Sequence, residues 1–312
     1  MAGKIATRNA YGETLVELAE KYPELVVLDA DLSGSTMTKF FAAAHPDRFF
    51  DCGIAECDMA GIAAGMAADG LKPFINSFAM FSSGRIYEQV RNSIAYPHLN
   101  VKVVGSHGGV SVGEDGATHQ CIEDFALMRA IPGMLVCCPC DGNEMRLAVR
   151  ALMEYDGPAY LRLQRLSTKV FTDELDNYGF QLGKGCTLRD GGDISIIANG
   201  LMVGMALEAA DILSSQGIQA RVIDIHTLKP LDEELVVRAA RETGKIVTVE
   251  EHSVIGGLGS AVCDAVSGAC PCVVKKIGVE DSFGMSGPAV ELLKKFGLSA
   301  ENIVEKVREL VR

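Results

Sequence analysis

The sequence predicts an α/β fold divided into two domains. Short apolar segments alternate with segments of helical periodicity along most of the chain, a pattern typical of parallel strands with helices on both faces. The chain has 312 residues, which fits two domains of roughly 150 residues each. Its 33 glycines and its aromatic content of only 6% suit tightly packed α/β layers.

The first half of the chain shows the alternation clearly. Leu15 and Leu18 lie at helical spacing, and a buried strand is expected directly after them. The pattern predicts strands over 24–28, 49–55, 72–76, 100–105, 134–138 and 159–162, and helices over 10–22, 57–69, 84–95 and 144–155. We therefore expect one parallel sheet with helices on both faces.

A polar, Gly-rich stretch between Ser167 and Asp193 separates the two halves. It has no long periodic segment, so we interpret it as the linker and the entry to a second domain. The alternation then restarts with strands over 193–198, 219–224, 245–250 and 273–278 and helices over 201–216, 232–242, 257–268, 287–296 and 299–311. No short repeat period is present, which excludes a solenoid.

The composition excludes several classes of protein. Apolar residues make up 48% and charged residues 22%, close to the ~45–50% and ~25% of globular proteins. The net charge is -12, and an acidic surface repels phosphate backbones, so no nucleic acid partner is expected. The most apolar window, 194–213, contains Asn199-Gly200, which predicts a strand, a turn and a helix rather than a membrane span.

The ten cysteines are too few for a disulfide scaffold, which needs more than about 8–10% Cys. The N-terminal residues lack the apolar stretch of a secretory signal, so we expect reduced thiols and a cytoplasmic location. Residues 137–140, Cys-Cys-Pro-Cys, look like a metal-binding turn, but no second Cys or His pair lies at zinc-finger spacing. Buried thiols are the favoured interpretation, and no metal ligand is predicted.

Glu56 is the first candidate for chemistry. It lies within residues 53–60, Gly-Ile-Ala-Glu-Cys-Asp-Met-Ala, where a strand changes into an apolar helix. Sheets of this class bind ligands beyond the carboxyl ends of their strands, and a desolvated carboxyl with a raised pKa can donate a proton to a ring nitrogen. On spacing alone, a helix-start acid stabilised by the macrodipole is the favoured alternative.

The loop from Ser106 to Gln120 is the second candidate. It follows a predicted strand and holds His107 and His119, with Glu114 and Asp115 between them. A Gly-rich loop can fold back so that these polar groups converge, and His suits proton transfer near neutral pH. The alternatives are an exposed loop with incidental charges and, less favoured, a metal site.

Two other segments have a structural and a chemical interpretation. Residues 74–81 carry three phenylalanines that can stack on a planar ring, although a core cluster is the default. Residues 255–261 resemble a dinucleotide-binding loop, but Val262 stands where Gly or Ala is required. A nicotinamide cofactor is therefore disfavoured.

Together, these segments resemble the C-terminal half of transketolase. The matching pieces, in the order of the family, are Ala6-Thr7-Arg8, GIAECDMAGIAAGMA, Phe74–Phe81, SHGGVSVGEDGATHQ and VEEHSVIGGLG. The resemblance covers nearly the whole chain and is most specific at His107 with GEDGATHQ. Beta subunits of 2-oxo-acid dehydrogenases share the GIAE-type segment but not the His loop. Deoxyxylulose-phosphate synthase has a similar loop in a much longer chain. A subunit of a thiamine enzyme like that synthase, or like a 2-oxo-acid dehydrogenase, is the alternative.

This resemblance implies an enzyme that uses thiamine diphosphate. Glu56 matches the acid that hydrogen-bonds the aminopyrimidine ring and promotes the imino tautomer, which deprotonates the thiazolium carbon. Phe78 and Phe81 match residues that pack on the same ring. The family also implies a pyrimidine-binding domain over 1–178 and a smaller C-terminal domain with a mixed sheet over 179–312.

Sugar-binding residues are implied as well. His107, Asp115 and His119 match residues that contact sugar hydroxyls and assist proton transfer, which makes both histidines catalytic together with Glu56. Arg8 matches a position that holds the sugar phosphate, where a charged donor is suitable.

Two positions of the implied phosphate site are less regular. Arg165 matches the second phosphate-holding position, with Arg162 as the alternative because the alignment there is loose. Asp29 stands where the family commonly has a phosphate-contacting Ser. It is included in the predicted substrate site, but an acid beside a phosphate puts the usual phosphorylated acceptor in doubt. His252, in the second half, is expected to be structural.

One part of the family is missing from this chain. The Gly-Asp-Gly signature followed by Asn, which binds the diphosphate and Mg²⁺, occurs nowhere in the right context. The resemblance therefore implies the C-terminal subunit of a split transketolase, active only with an N-terminal partner that brings the diphosphate and Mg²⁺ site.

The expected assembly is a heterotetramer with two copies of each subunit and with self-association of this chain. Its reaction would transfer a two-carbon ketol unit from a ketose phosphate to an aldose phosphate, as in the pentose phosphate pathway. A synthase that condenses an oxo-acid-derived unit with an aldehyde phosphate is the second hypothesis. A subunit that only stabilises or regulates its partner is the third.

Overall fold

The strands of the first half form most of a seven-stranded sheet. The computed structural model describes residues 3–175 and 178–311. The first-half strands are β1 (Lys4–Ala6), β2 (Leu25–Asp29), β3 (Phe49–Asp51), β4 (Lys72–Phe78), β5 (Lys102–Ser106), β6 (Leu135–Cys137), β7 (Ala159–Arg162) and β8 (Ser167–Lys169). Strands β6, β7, β5, β4, β2 and β3 lie side by side in this order and are parallel. Strands β1 and β8 form a separate antiparallel pair.

Helices cover both faces of this sheet, as predicted. They are α1 (Thr7–Ala19), α2 (Ser33–Thr36), α3 (Lys39–Ala44), α4 (Glu56–Ala68), α5 (Tyr87–Gln89), α6 (Asp124–Ala130) and α7 (Gly142–Glu154), with π-helical turns at Met80–Arg85 and Val90–Ala95 and 3₁₀ turns at Pro46–Arg48, Val110–Val112 and Thr172–Glu174. One core joins Leu15 of α1 to Val104 of β5, and the other joins Met59 of α4 to Val103. Neighbouring β5 residues thus enter opposite cores, as the two-residue period of a strand requires.

The second half has the mixed sheet that the resemblance implied. Its strands are β9 (Cys186–Arg189), β10 (Ile194–Ala198), β11 (Ala220–Asp224), β12 (Thr227–Lys229), β13 (Lys245–Ser253) and β14 (Val273–Val279), and its helices are α8 (Met202–Ser214), α9 (Glu233–Thr243), α10 (Leu258–Ala269), α11 (Ala289–Lys295) and α12 (Ala300–Val311). The sheet order is β14-β13-β10-β11-β9, with only β9 antiparallel. The predicted α/β class is confirmed. In the described residues, no helix is long and apolar enough to cross a membrane.

Some elements differ from the sequence prediction. Helix α1 begins at Thr7 and ends at Ala19, three residues earlier than expected, since Pro23 disfavours helical backbone at Tyr22. The expected helix over 84–95 consists of π-helical turns around the short α5. The supposed linker contains β8 and β9. The domain boundary after residue 178 follows positions 176–177, which lie outside the described residues, and it stays a prediction.

Strand β12 joins the two halves of the chain. It pairs antiparallel with β6 at the edge of the first sheet instead of joining the second sheet, and the Cys138 amide donates to the His226 carbonyl oxygen at 2.7 Å beside this pairing. A strand of three residues is too short to show a periodic pattern, so the sequence did not predict it. The second half therefore completes the sheet of the first.

A buried group of acidic side chains lies where the two halves of the chain meet. Asp224 ends β11, Glu144 lies in α7, and both are fully buried; one oxygen of each lies within 4.8 Å of the other and of the Cys140 sulfur. Glu144 accepts hydrogen bonds from the Tyr178 hydroxyl and, at 2.6 Å, from the Cys140 amide. Burial first, and then Glu144, raise the pKa of Asp224 well above its usual value. Asp224 therefore keeps its proton to a higher pH than an ordinary aspartate does.

This proton makes stability depend on pH. The folded chain holds it at pH values where the unfolded chain, with an Asp pKa of about 3.9, releases it. The stabilising contribution is therefore complete below about pH 3.9 and falls by about 1.4 kcal/mol per pH unit as the pH rises towards the folded pKa. Asp224→Asn removes this dependence, so its free energy of unfolding, relative to wild type, should rise as the pH is raised above about 4 towards the folded pKa.

Urea unfolding at pH 5, 6 and 7 measures this difference. Asp190→Asn is the control, because Asp190 is an exposed acid of the same half that forms an ion pair with Arg221 and its pKa is lowered, first by a backbone hydrogen bond. The control should follow wild type over this range. Parallel pH profiles for wild type and Asp224→Asn would contradict a raised pKa of Asp224 in the folded chain.

Candidate active site

The candidate residues lie at the carboxyl edge of the first sheet. Strand β4 ends at Phe78, and His107 directly follows β5; the two strands are neighbours, with Phe78 opposite Ser106. Glu56 begins α4 after the short β3. Parallel strands bring their carboxyl ends to one edge, and this is where sheets of this class bind ligands.

Glu56 is buried at the start of an apolar helix. It is the first residue of α4 and is only 2% exposed. Its Oε2 accepts a hydrogen bond from Arg85 Nη1 at 2.8 Å, which forms an ion pair. The N-terminus of α4 adds a favourable dipole to this carboxylate. Glu56 is therefore held in place by Arg85.

The sequence prediction did not include Arg85. Its guanidinium carbon lies 4.3 Å from the centre of the Phe81 ring, so Arg85 contacts both the acid and one of the predicted ring-stacking residues. Arg85 is the only cation between Lys72 and Arg91. That isolation was a signal in the sequence, but the π-helical turn that directs Arg85 towards Glu56 was not predictable.

Four predicted residues form one cluster of rings. The Phe78 ring centre lies 4.4 Å from that of His107 and 6.2 Å from that of Phe81, with which it stacks. The His119 ring meets both phenylalanine rings edge-on, at 6.1 and 5.4 Å. The loop between the two histidines has therefore folded back, as its glycines allowed, and has brought both imidazoles to the aromatic pair.

His107 is a neutral imidazole in a strained backbone position. Its φ is 58°, a left-handed value that is uncommon outside glycine, and its Nδ1 lies 2.8 Å from the Ser106 hydroxyl. Burial, followed by the charges of Arg8 and Arg165, lowers the pKa of His107 to about 3. At neutral pH this ring can donate or accept a hydrogen bond and carries no charge.

Arg8 and Arg165 form a cationic corner beside His107. Arg8 donates from Nη1 to the Ser35 carbonyl at 2.9 Å, and among the described residues its buried Nε has no partner. Arg165 donates to the Val112 carbonyl and, at 3.0 Å, to Glu114. Burial first, and then the charge of Arg165, lower the pKa of Arg8, which indicates that the two guanidinium groups repel each other. Such a pair is suited to an anionic group of a ligand.

Arg162, the alternative to Arg165, is engaged elsewhere. It is 3% exposed, its Nε lies 3.3 Å from Asp124, and its Nη2 donates to the Glu251 carbonyl at 2.9 Å. The Phe125 ring lies 4.5 Å from its guanidinium. Arg162 therefore links the two halves, and Arg165 is the better placed of the two to bind a ligand.

Asp29 and Asp115 do not join the ring cluster. Asp115 is exposed on the loop. Asp29 is fully buried, and both of its oxygens accept hydrogen bonds from the segment that follows β2. Direct contact of either residue with a sugar stays a prediction.

The second half of the chain contacts the histidine loop and lines part of a cavity beside the candidate site. Gln120 donates to the Met285 carbonyl at 2.9 Å. Phe283 and Gly284 line a cavity of about 470 Å³ together with Phe81 and Arg85. No sequence pattern indicated that residues of the second half would lie here.

Two other sequence motifs have structural roles. The Glu250 carboxylate accepts the amides of Leu258 and Gly259 at 2.7 and 2.8 Å, so the dinucleotide-like loop is occupied by a side chain of the protein. His252 is fully buried and stacks on Phe125 at 4.9 Å. Within the described ranges, the one group with metal-ligand spacing is the Cys140, Glu144 and Asp224 group.

The residues of this edge fit one part of a thiamine cofactor. A buried carboxylate with a single side-chain partner and two stacked phenylalanines are suited to a flat heterocycle with ring nitrogens. Two family descriptions match the chain: "Transketolase, pyrimidine binding domain" over residues 3–170 and "Transketolase, C-terminal domain" over 183–303.

The chain belongs to the transketolase family.

Similar proteins cover almost the same length as this chain. A putative transketolase C-terminal section from Methanocaldococcus jannaschii is 48% identical over 303 residues, which is 97% of this chain and 95% of that protein. A 6-deoxy-6-sulfo-D-fructose transketolase subunit of a Clostridium strain is 46% identical over 303 residues, which is 97% of this chain and 94% of that protein. A solved structure described as a split gene transketolase, an inactive beta4 tetramer, has a TM-score of 0.90 at 49% identity and covers 98% of both chains.

The charge state of His107 can be tested directly. Nitrogen NMR of the imidazole should show a neutral ring from pH 5 to 8, because its pKa is about 3. Arg8→Met should raise that pKa by removing a neighbouring positive charge. Arg91→Met, which removes an exposed charge, is the control and should leave it unchanged. A His107 signal that titrates between pH 6 and 7 in wild type would contradict this electrostatic description.

Proposed function

We propose that this chain is the C-terminal subunit of a two-subunit, thiamine-diphosphate-dependent transketolase. The supporting observation is the convergence at one sheet edge of a buried acid, two stacked phenylalanines and two histidines, beside a pair of arginines. The reaction is the transfer of a two-carbon ketol unit from a ketose phosphate to an aldose phosphate.

Glu56, Phe78 and Phe81 are the proposed contacts to the cofactor. When bound, thiamine diphosphate supplies the carbon nucleophile for ketol transfer. Glu56 holds and exchanges a proton through its carboxyl oxygen, and the two phenylalanines exclude water from the ring. Arg85 now contacts Oε2 of Glu56 and one face of Phe81, so a ring that bound this oxygen or stacked on this face would displace it.

His107, His119 and Asp115 are the proposed contacts to sugar hydroxyls. The neutral His107 offers one donor and one acceptor nitrogen, and His119 lies near it across the aromatic pair, so both can hold or move a proton at a hydroxyl. Arg8 and Arg165 hold the terminal anion. The sulfosugar relative suggests that a sulfonate is an alternative to a phosphate at this corner.

A partner subunit has to supply the diphosphate and Mg²⁺ site, because the sequence lacks the signature for them. Apolar side chains near the candidate site support a covering partner: Ile54 is 77% exposed and Phe283 is 88% exposed. Burying such side chains favours association. In the description of the similar structure, 'split gene' supports a separate partner subunit and 'beta4' supports self-association of this chain. The proposed assembly has two copies of each subunit.

The first experiment mixes the two subunits. Ketol transfer from xylulose 5-phosphate to ribose 5-phosphate should require both subunits, thiamine diphosphate and Mg²⁺, and each subunit alone should be inactive. A mixture that instead condenses pyruvate with glyceraldehyde 3-phosphate would favour the synthase-like alternative. A partner that is fully active alone would contradict a catalytic role for this chain.

Glu56→Gln should abolish turnover and leave the fold and the assembly intact. The amide fills the same volume but cannot exchange a proton, so activity should fall at least ~10²-fold, the usual contribution of one acid–base catalyst. Cofactor affinity should fall much less, since the partner holds the diphosphate. Steady-state ketol transfer and NMR exchange of the thiazolium proton measure the two effects. Glu17→Gln, an exposed acid on α1, is the matched control, and wild-type proton exchange in Glu56→Gln would overturn the assignment.

A further inference from the structure

The segment after β2 has an unusual backbone that depends on Asp29. Asp31 and Met37, which are not glycines, have φ values of 60° and 68°, and left-handed backbone is sterically costly for such residues. Between them lies the single turn of α2, Ser33–Thr36. Such a conformation persists only where surrounding contacts determine it.

Asp29 supplies these contacts from the end of β2. Its Oδ1 accepts the Leu32 amide at 2.6 Å, and its Oδ2 accepts the hydroxyls of Thr36 and Thr38 at 2.7 and 2.8 Å. The carboxyl is fully buried, and both of its oxygens accept hydrogen bonds. It closes the loop over residues 29–38 and has no free oxygen directed at solvent.

The same loop fixes Arg8. The Ser35 carbonyl accepts a hydrogen bond from Arg8 Nη1 at 2.9 Å. The loop also packs closely on α1, the helix that carries Arg8, because a Cβ at Gly12 would lie only 2.5 Å from the Met37 carbonyl oxygen. A change in the loop would therefore move the carbonyl that orients the Arg8 guanidinium.

We infer that Asp29 is a positioning residue for the anion corner, which acts through Ser35 on Arg8 without touching the substrate. This inference rests on the proposed function and replaces the direct contact expected from the sequence. The departure from a phosphate-contacting Ser then has a physical meaning: the carboxyl stabilises the loop, and the anion is left to Arg8 and Arg165. Loss of Asp29 should affect substrates with a terminal anion and spare those without one.

The test uses the mixed two-subunit enzyme and a pair of acceptors. Asp29→Asn should raise KM for ribose 5-phosphate about tenfold, the loss expected when one charged hydrogen bond is misplaced, with kcat within about twofold. KM for glycolaldehyde, which has no phosphate, should stay within about twofold with hydroxypyruvate as the donor. Asp47→Asn, an exposed acid, is the matched control. Equal losses with both acceptors would overturn the inference.

A double-mutant cycle identifies Arg8 as the intermediary. In an Arg8→Met background, Asp29→Asn should raise KM for ribose 5-phosphate by less than about twofold, because residues that act through one another are not additive. Additive losses would contradict the inference. Thr36→Val, which keeps Asp29 and removes one of its donors, is the second variant if Asp29→Asn does not fold, and it should show the same phosphate-selective pattern.

Binding of inorganic phosphate separates this inference from the proposed function. Calorimetric titration of the assembled protein should show about tenfold weaker phosphate binding in Asp29→Asn than in wild type. Wild type that binds phosphate but transfers no ketol unit would contradict the proposed function and leave the positioning role intact. Phosphate binding of equal affinity in both proteins would overturn the positioning role, whatever the activity.

Discussion

The parallel register of β2, β4 and β5 is the constraint on which the candidate site depends. Asp29 lies opposite Asn76, and Phe78 lies opposite Ser106, so three loops leave the sheet at nearby points. A strand shifted by one residue would turn Phe78 to the opposite face of the sheet. The helices of both faces fix this register by burying alternate strand residues, which explains why the packing of the core and the geometry of the site are not separable.

The elements with strong periodicity were predictable, and the elements fixed by tertiary contacts were not. The strands at 194–198 and 220–224 and the helices at 202–214 and 233–243 lie within one or two residues of their predicted bounds, because continuous apolar or amphipathic patterns specify them. Strand β12 has three residues and forms only because β6 offers a free edge. The ring cluster followed from motifs, whereas the Arg85 contact and the buried position of Asp29 depend on local backbone that no pattern describes.

The charged side chains at this sheet edge are only partly neutralised by the described residues. Glu56 has one neutralising partner, Arg85, and that partner is itself 45% exposed. The two arginines of the anion corner are close enough that one lowers the pKa of the other. Charges of this kind are normally stabilised by a ligand or a neighbouring chain. Ile54 and Phe283 lie nearby and are exposed. Exposed apolar side chains and incompletely neutralised charges both favour a subunit that covers this edge.

The second half explains how a Gly-rich loop can hold His107 and His119 in place. The Glu251 carboxylate accepts the Ser111 amide at 2.7 Å, and its carbonyl accepts Arg162. Gly109 has a φ of 85°, and a Cβ there would lie 2.3 Å from the Glu251 oxygen, so only glycine permits this approach. Because Gln120 is held by the Met285 carbonyl, the loop is tied to the second half at both ends. The second half can thus position both histidines without contributing a catalytic residue of its own.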